Sequence, residues 1–80
     1  MRQWSTYTPD GLRLVVTRRQ QGWSVVCGEG TRVQHELLDI ALIKAMRNEI
    51  DVSGHSMRTD YAAWARKLAD WLQSEDRGAA

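Results

Sequence analysis

V-Q-H-E-L-L-D-I-A-L-I-K-A-M, residues 33–46, is the longest strongly periodic stretch of this chain. At about 100° per residue, Leu37, Leu38, Ala41, Leu42, Ala45 and Met46 share one half of a helical circumference. Ile40 and Ile43 fall on the other half, among Glu36, Asp39, Lys44 and Arg47. A surface helix ordinarily shows one apolar stripe; a broad stripe with two further isoleucines implies that both sides are covered. Thr31 followed by Gln34 matches the capping box. The pattern therefore predicts a central helix over 32–49.

Three shorter segments precede it. Residues 2–8 are rich in Trp, Thr and Tyr, which suit a pleated, half-buried surface. The turn Thr8-Pro9-Asp10-Gly11 follows, with proline pre-setting one dihedral and glycine tolerating positive φ. Residues 12–18 form a second strand with Leu12, Leu14 and Val16 on one face. After Arg19-Gln20-Gln21-Gly22, residues 23–28 form a third, with Trp23, Val25 and Cys27 on one face. Asp51 to Arg58, with Gly54 and two serines, reads as a loop. A second helix is predicted over 60–74, where Tyr61, Trp64, Ala65, Leu68, Trp71 and Leu72 make an amphipathic stripe, and Ser74 to Ala80 should fray. The expected fold is α+β: a three-stranded antiparallel β-meander followed by two α-helices (βββαα), a two-layer single domain spanning 1–80.

Composition narrows the function classes. Eighty residues hide only about 60% of the extended-chain surface, so a core this small usually needs reinforcement. One cysteine, Cys27, excludes an internal disulfide and points to a reducing compartment. No apolar run approaches the ~20 residues of a membrane span, and the opening Met-Arg-Gln-Trp is unlike a secretory signal, so a cytoplasmic setting without membrane contact is expected. Residues 1–34 carry five arginines against Asp10 and Glu29, whereas residues 35–80 carry six basic and eight acidic side chains. That asymmetry is too weak for a basic nucleic-acid tail.

The candidate chemistries are few. His35-Glu36-Leu37-Leu38-Asp39 approaches the H-E-x-x-H zinc motif, with Asp39 in place of the second histidine and His55 as a third ligand. Eighty residues leave no room for a substrate cleft around such a site, and solvated helix surface is the simpler reading; a metal-dependent hydrolase is a remote alternative. Ser53-Gly54-His55-Ser56 brings hydroxyls near an imidazole without an orienting acid or a nucleophile elbow, so it reads as a turn. Cys27, in an apolar strand, reads as a buried, inert thiol. No catalytic residue, metal or cofactor is assigned.

Binding signals are stronger. Arg18-Arg19-Gln20-Gln21 at a hairpin tip carries the side chains that read base edges, and Arg13 and Arg32 would add phosphate contacts. The nearly neutral remainder of the chain makes nucleic acid the less favoured partner. Trp64 with Trp71 on the second helix adds to an apolar surplus, and a dense core is the favoured place for that pair. Trp4 and Tyr7 on the first strand and Ile40 and Ile43 on the central helix likewise exceed what a two-layer domain readily buries. With Arg18, Arg19 and Arg47 these four form the expected partner-binding set, and a homodimer through Ile40 and Ile43 would supply extra buried surface.

Gly22-Trp23-Ser24-Val25-Val26-Cys27-Gly28-Glu29 resembles the G-W-x-V-V-x-G-E stretch of the MbtH-like proteins, small partners of adenylation domains in peptide synthetases with a three-stranded sheet followed by helix. The resemblance covers eight of 80 residues. The family's S-x-W-P and W-T-D-x-R-P segments are absent, so no family role is carried over. The expected function is that of a small non-enzymatic protein-binding module, a regulator, adaptor or inhibitor docking on a larger protein or complex. A phage or mobile-element inhibitor of a host defence complex is one instance, suggested by size and lack of motifs alone.

Overall fold

A computed structural model describes residues 2–53 and 60–78. It shows a compact α+β arrangement with an antiparallel sheet in the order β1-β2-β3-β4 and two helices. The strands are β1 (Arg2–Tyr7), β2 (Arg13–Arg18), β3 (Trp23–Cys27) and β4 (Val33–His35); the helices are α1 (Leu38–Ser53) and α2 (Asp60–Gly78).

The register places Trp4 opposite Val16, Val16 opposite Val25 and Val25 opposite Val33. Because side chains alternate along a strand, these residues share one face of the sheet with Leu14, Trp23 and Cys27. That face meets the helices: α1 packs on β3, β4 and α2. Leu14, Val16, Val25, Leu38, Leu42, Met46, Tyr61 and Leu72 are buried together in one apolar cluster. The other face carries Gln3, Ser5, Tyr7 and Thr17, and Gln3 Nε2 donates to Thr17 Oγ1 at 3.3 Å.

The structure corrects the sequence reading at both ends of the central helix. Residues 33–35 form a fourth strand, pairing Trp23 with His35 and Val25 with Val33. The short run Val33-Gln34-His35 satisfies a two-residue period as well as a helical one, and pairing covers the otherwise open edge of β3. The Thr31–Gln34 capping box does not form. Helix α1 begins at Leu38, and the Leu37 carbonyl accepts its first backbone bond, from Ala41 N–H at 3.1 Å. Two side chains serve free amides here: His35 Nδ1 accepts from Leu37 N–H at 3.0 Å, and Asp39 Oδ1 from Ile40 N–H at 2.9 Å. Leu37 therefore stands outside the helical stripe, 55% exposed. At the other end α1 runs through Ser53, where a loop had been expected from Asp51; residues 54–58 of that expected loop lie outside the described residues.

Helix α2 continues to Gly78 instead of fraying from Ser74. Its last turns are held by the sheet: Arg2 Nη1 donates to the Glu75 carbonyl at 3.3 Å, and Arg18 Nε meets Asp76 Oδ2 at 3.2 Å. The buried stripe of α2 is also rotated relative to the expected one. Ala65 and Ala69 are buried with Tyr61 and Leu72, while Trp71 is 55% exposed. Ala41 and Ala45 are the buried small residues of α1. Small side chains are thus buried on both helices, and α1 packs on α2.

Candidate interaction surface

The β2–β3 hairpin turns through Gly22, whose φ is +89°. A Cβ there would lie 2.5 Å from the His35 carbonyl oxygen and 2.8 Å from Glu36 Cα, so the turn is locked against the end of β4. Arg18, at the base of the hairpin, is committed internally. Its Nη1 donates to the Gly22 carbonyl at 2.7 Å, its Nε pairs with Asp76, and its guanidinium lies 4.9 Å above the Trp23 ring. Arg19 Nε donates to Ser24 Oγ at 2.8 Å. Both hairpin arginines thus have structural engagements.

Beside them, Arg19, Gln20, Gln21 and Gln34 line an open depression of about 690 Å³. Gln34 joins the hairpin glutamines only because residues 33–35 form a strand next to β3. Planar amide and guanidinium groups offer paired donors and acceptors to any flat polar ligand edge.

The aromatic residues divide into two groups. Trp4 is half-buried, packs against the core and sits 5.9 Å from the Trp23 ring, with the Arg2 guanidinium 5.0 Å from its own centroid. It belongs to a closed aromatic–arginine cluster at the end of α2. Tyr7 and Trp71 are open to solvent, at 65% and 55%. Trp71 has Leu68 three residues before it and Trp64 seven before, both partly buried against the core. The three make an apolar strip along one flank of α2.

On α1, Ile43 packs against the core, Ile40 is half-buried and Arg47 is exposed. The structure does not bring Trp4, Tyr7, Arg18, Arg19, Ile40, Ile43 and Arg47 into one surface, since they are spread over both sheet faces and a helix. Of the pair for which a dense core is the favoured sequence reading, Trp64 packs partly against the core and Trp71 stands on the surface; both weigh heavily in any apolar stripe. The spacing of Ala65 and Ala69 between Tyr61 and Leu72 marks the true centre of the stripe.

The polar strings acquire structural roles. His35 lies on β4 and Asp39 in the first turn of α1, so they are not one helical turn apart on a shared face. His55 lies outside the described residues, and among the described residues no three His, Cys, Asp or Glu side chains cluster as metal ligands. Cys27 is buried, and burial, with Glu49 nearby as a second cause, pushes its thiol pKa up to about 11. Among the described residues no helix is long and apolar enough to cross a membrane.

No protein-family model, curated protein or solved structure matches this chain.

Proposed function

We propose that this protein is a small non-enzymatic binding module that docks on a larger protein through the flank of α2. The observation that carries this reading is Trp71, an indole more than half exposed at the head of the Trp64–Leu68–Trp71 strip. Tryptophan supplies large contact area at low entropic cost and is among the residues most enriched at interface hot spots. The role proposed for such a module is that of regulator, adaptor or inhibitor; a phage or mobile-element inhibitor is one instance, supported by small size and lack of motifs alone. Two chemistry-bearing side chains among the described residues support a role without catalysis: His35 Nδ1 is an acceptor for backbone, and the Cys27 thiol is held neutral. A cytoplasmic setting belongs to the same proposal, supported by the lone, buried, unpaired cysteine.

The polar depression of Arg19, Gln20, Gln21 and Gln34 favours nucleic acid as a second reading, since arginine and glutamine recognise guanine and adenine edges. One experiment separates the two. The protein and its Trp71→Ala variant are used as bait in host lysate, with and without nuclease and at high salt. A single protein or complex retained through both treatments and lost with Trp71→Ala supports docking on α2. Recovery that disappears with nuclease or salt and persists in Trp71→Ala transfers the function to the hairpin.

A further inference from the structure

We infer that β1 is a self-pairing edge, and that two copies of this protein join through it into one continuous sheet. The argument starts from which way each backbone group of β1 points. Thr8 N–H donates to the Leu12 carbonyl at 2.8 Å. In an antiparallel ladder, residue pairs alternate between those that exchange both hydrogen bonds and those that exchange none. The register continues from that bond through Thr6 opposite Leu14, Trp4 opposite Val16 and Arg2 opposite Arg18. These even-numbered residues spend their N–H and C=O groups on β2. Gln3, Ser5 and Tyr7 therefore direct theirs outward, past the edge of the sheet.

Natural edges are usually blunted by proline, lysine, a bulge or a very short strand. The other edge, β4, is short, with three residues. β1 has six residues, no proline, no lysine and a single charge, Arg2. It is also complementary to itself. Antiparallel pairing about a two-fold axis perpendicular to the sheet, with Ser5 opposite Ser5 of the second copy, sets Gln3 opposite the second Tyr7. Every outward N–H and C=O of Gln3, Ser5 and Tyr7 then has a partner. The neighbouring register, with Gln3 opposite Ser5, leaves the outward groups of Tyr7 without a partner on β1. In the favoured register Trp4 faces Thr6 on the helix side, and Arg2 faces uncharged Thr8, so no like charges meet. The exposed Tyr7 ring lies over the second Gln3 on the open face. Both helical layers fall on the same side of the joined sheet.

A second copy is the occupant that this geometry favours over an unrelated peptide strand. Its sequence meets the outward groups without loss, and an 80-residue chain gains from the added buried surface. The test combines sedimentation across a concentration series with backbone amide exchange by NMR. At millimolar concentration the protein should sediment as a dimer, and the amides of Gln3, Ser5 and Tyr7 should be protected like those of Trp4 and Thr6. On dilution to low micromolar their protection should fall at least tenfold while that of Trp4 and Thr6 persists. Ser5→Pro removes an outward N–H and no bond to β2, so the variant should be monomeric with an unchanged circular-dichroism spectrum. A wild-type protein that stays monomeric at millimolar concentration overturns the inference. So does a dimer in which Gln3, Ser5 and Tyr7 exchange freely, which would place the contact elsewhere, such as Ile40 on α1. Should Ser5→Pro fail to fold, the alternation of wild-type amide protection still decides the matter.

Discussion

Trp4 on β1 and Trp23 on β3 lie with ring centroids 5.9 Å apart and planes tilted by 38°, across the strand that separates them. Each ring is also covered by an arginine, Arg2 over Trp4 and Arg18 over Trp23. Aromatic pairs in offset or tilted geometry add about 0.5–1.5 kcal/mol beyond area burial. Because Trp23 is buried and Trp4 only partly so, the two rings contribute unequally. Trp23→Ala should cost about 3–5 kcal/mol, and Trp4→Ala distinctly less. Urea unfolding of both variants checks the order; equal losses would show that the cluster is not organised around Trp23.

Arg18 ties the hairpin to α2, and its contacts differ in strength. The pair with Asp76 is partly solvated, with side chains 35% and 24% exposed, and such ion pairs are worth about 0–1 kcal/mol. Asp76→Asn should therefore have a small effect that shrinks in salt. Arg18→Ala also removes the bond to the Gly22 carbonyl and the stacking on Trp23, and should cost about 1–3 kcal/mol. Arg18→Lys should fall between them, since lysine keeps the charge and loses the planar fork. Thermal unfolding at low and high ionic strength would reveal the ranking.

Gly11 and Gly22 share nearly the same positive φ, +88° and +89°, in different surroundings. A Cβ on Gly11 meets nothing within 4 Å, whereas one on Gly22 collides with the His35 carbonyl. Gly11→Ala should cost about 1–2 kcal/mol for the backbone conformation alone. Gly22→Ala should exceed it by about 1–3 kcal/mol because β4 must shift. Matched denaturation curves for the two variants would measure the difference directly.

Cys27 offers a pH prediction. Its thiol is raised from 9.0 to about 11, chiefly by burial. The folded protein therefore holds the proton more tightly than the unfolded chain. The stability contributed by the neutral thiol is present below pH 9 and is lost as pH climbs toward 11. At pH 8 a thiol reagent should label Cys27 only as fast as the protein unfolds, and fully in denaturant. Rapid labelling under native conditions would contradict the burial.

How much of this was legible in the chain follows from which interactions are local. Strands over Arg2–Tyr7, Arg13–Arg18 and Trp23–Cys27, the two turns between them and the α+β class all rest on neighbours in sequence, where alternation and turn chemistry act directly. The inward face of Leu14, Val16, Trp23, Val25 and Cys27 was readable for the same reason. The boundary at Leu38 was not. Val33-Gln34-His35 suits strand and helix alike, and the choice is made by the open edge of β3, which is distant in sequence and supplies its hydrogen-bond partners. The rotation of α2 was equally hidden. Composition weights Trp64 and Trp71 as core, but α2 packs on α1 with Tyr61, Ala65, Ala69 and Leu72 buried, and which side of a helix turns inward is set by contacts distant in sequence. Arg18 illustrates the same division: its hairpin position was plain from the sequence, and its engagement with Trp23 and Asp76 exists only once strand and helix meet in space.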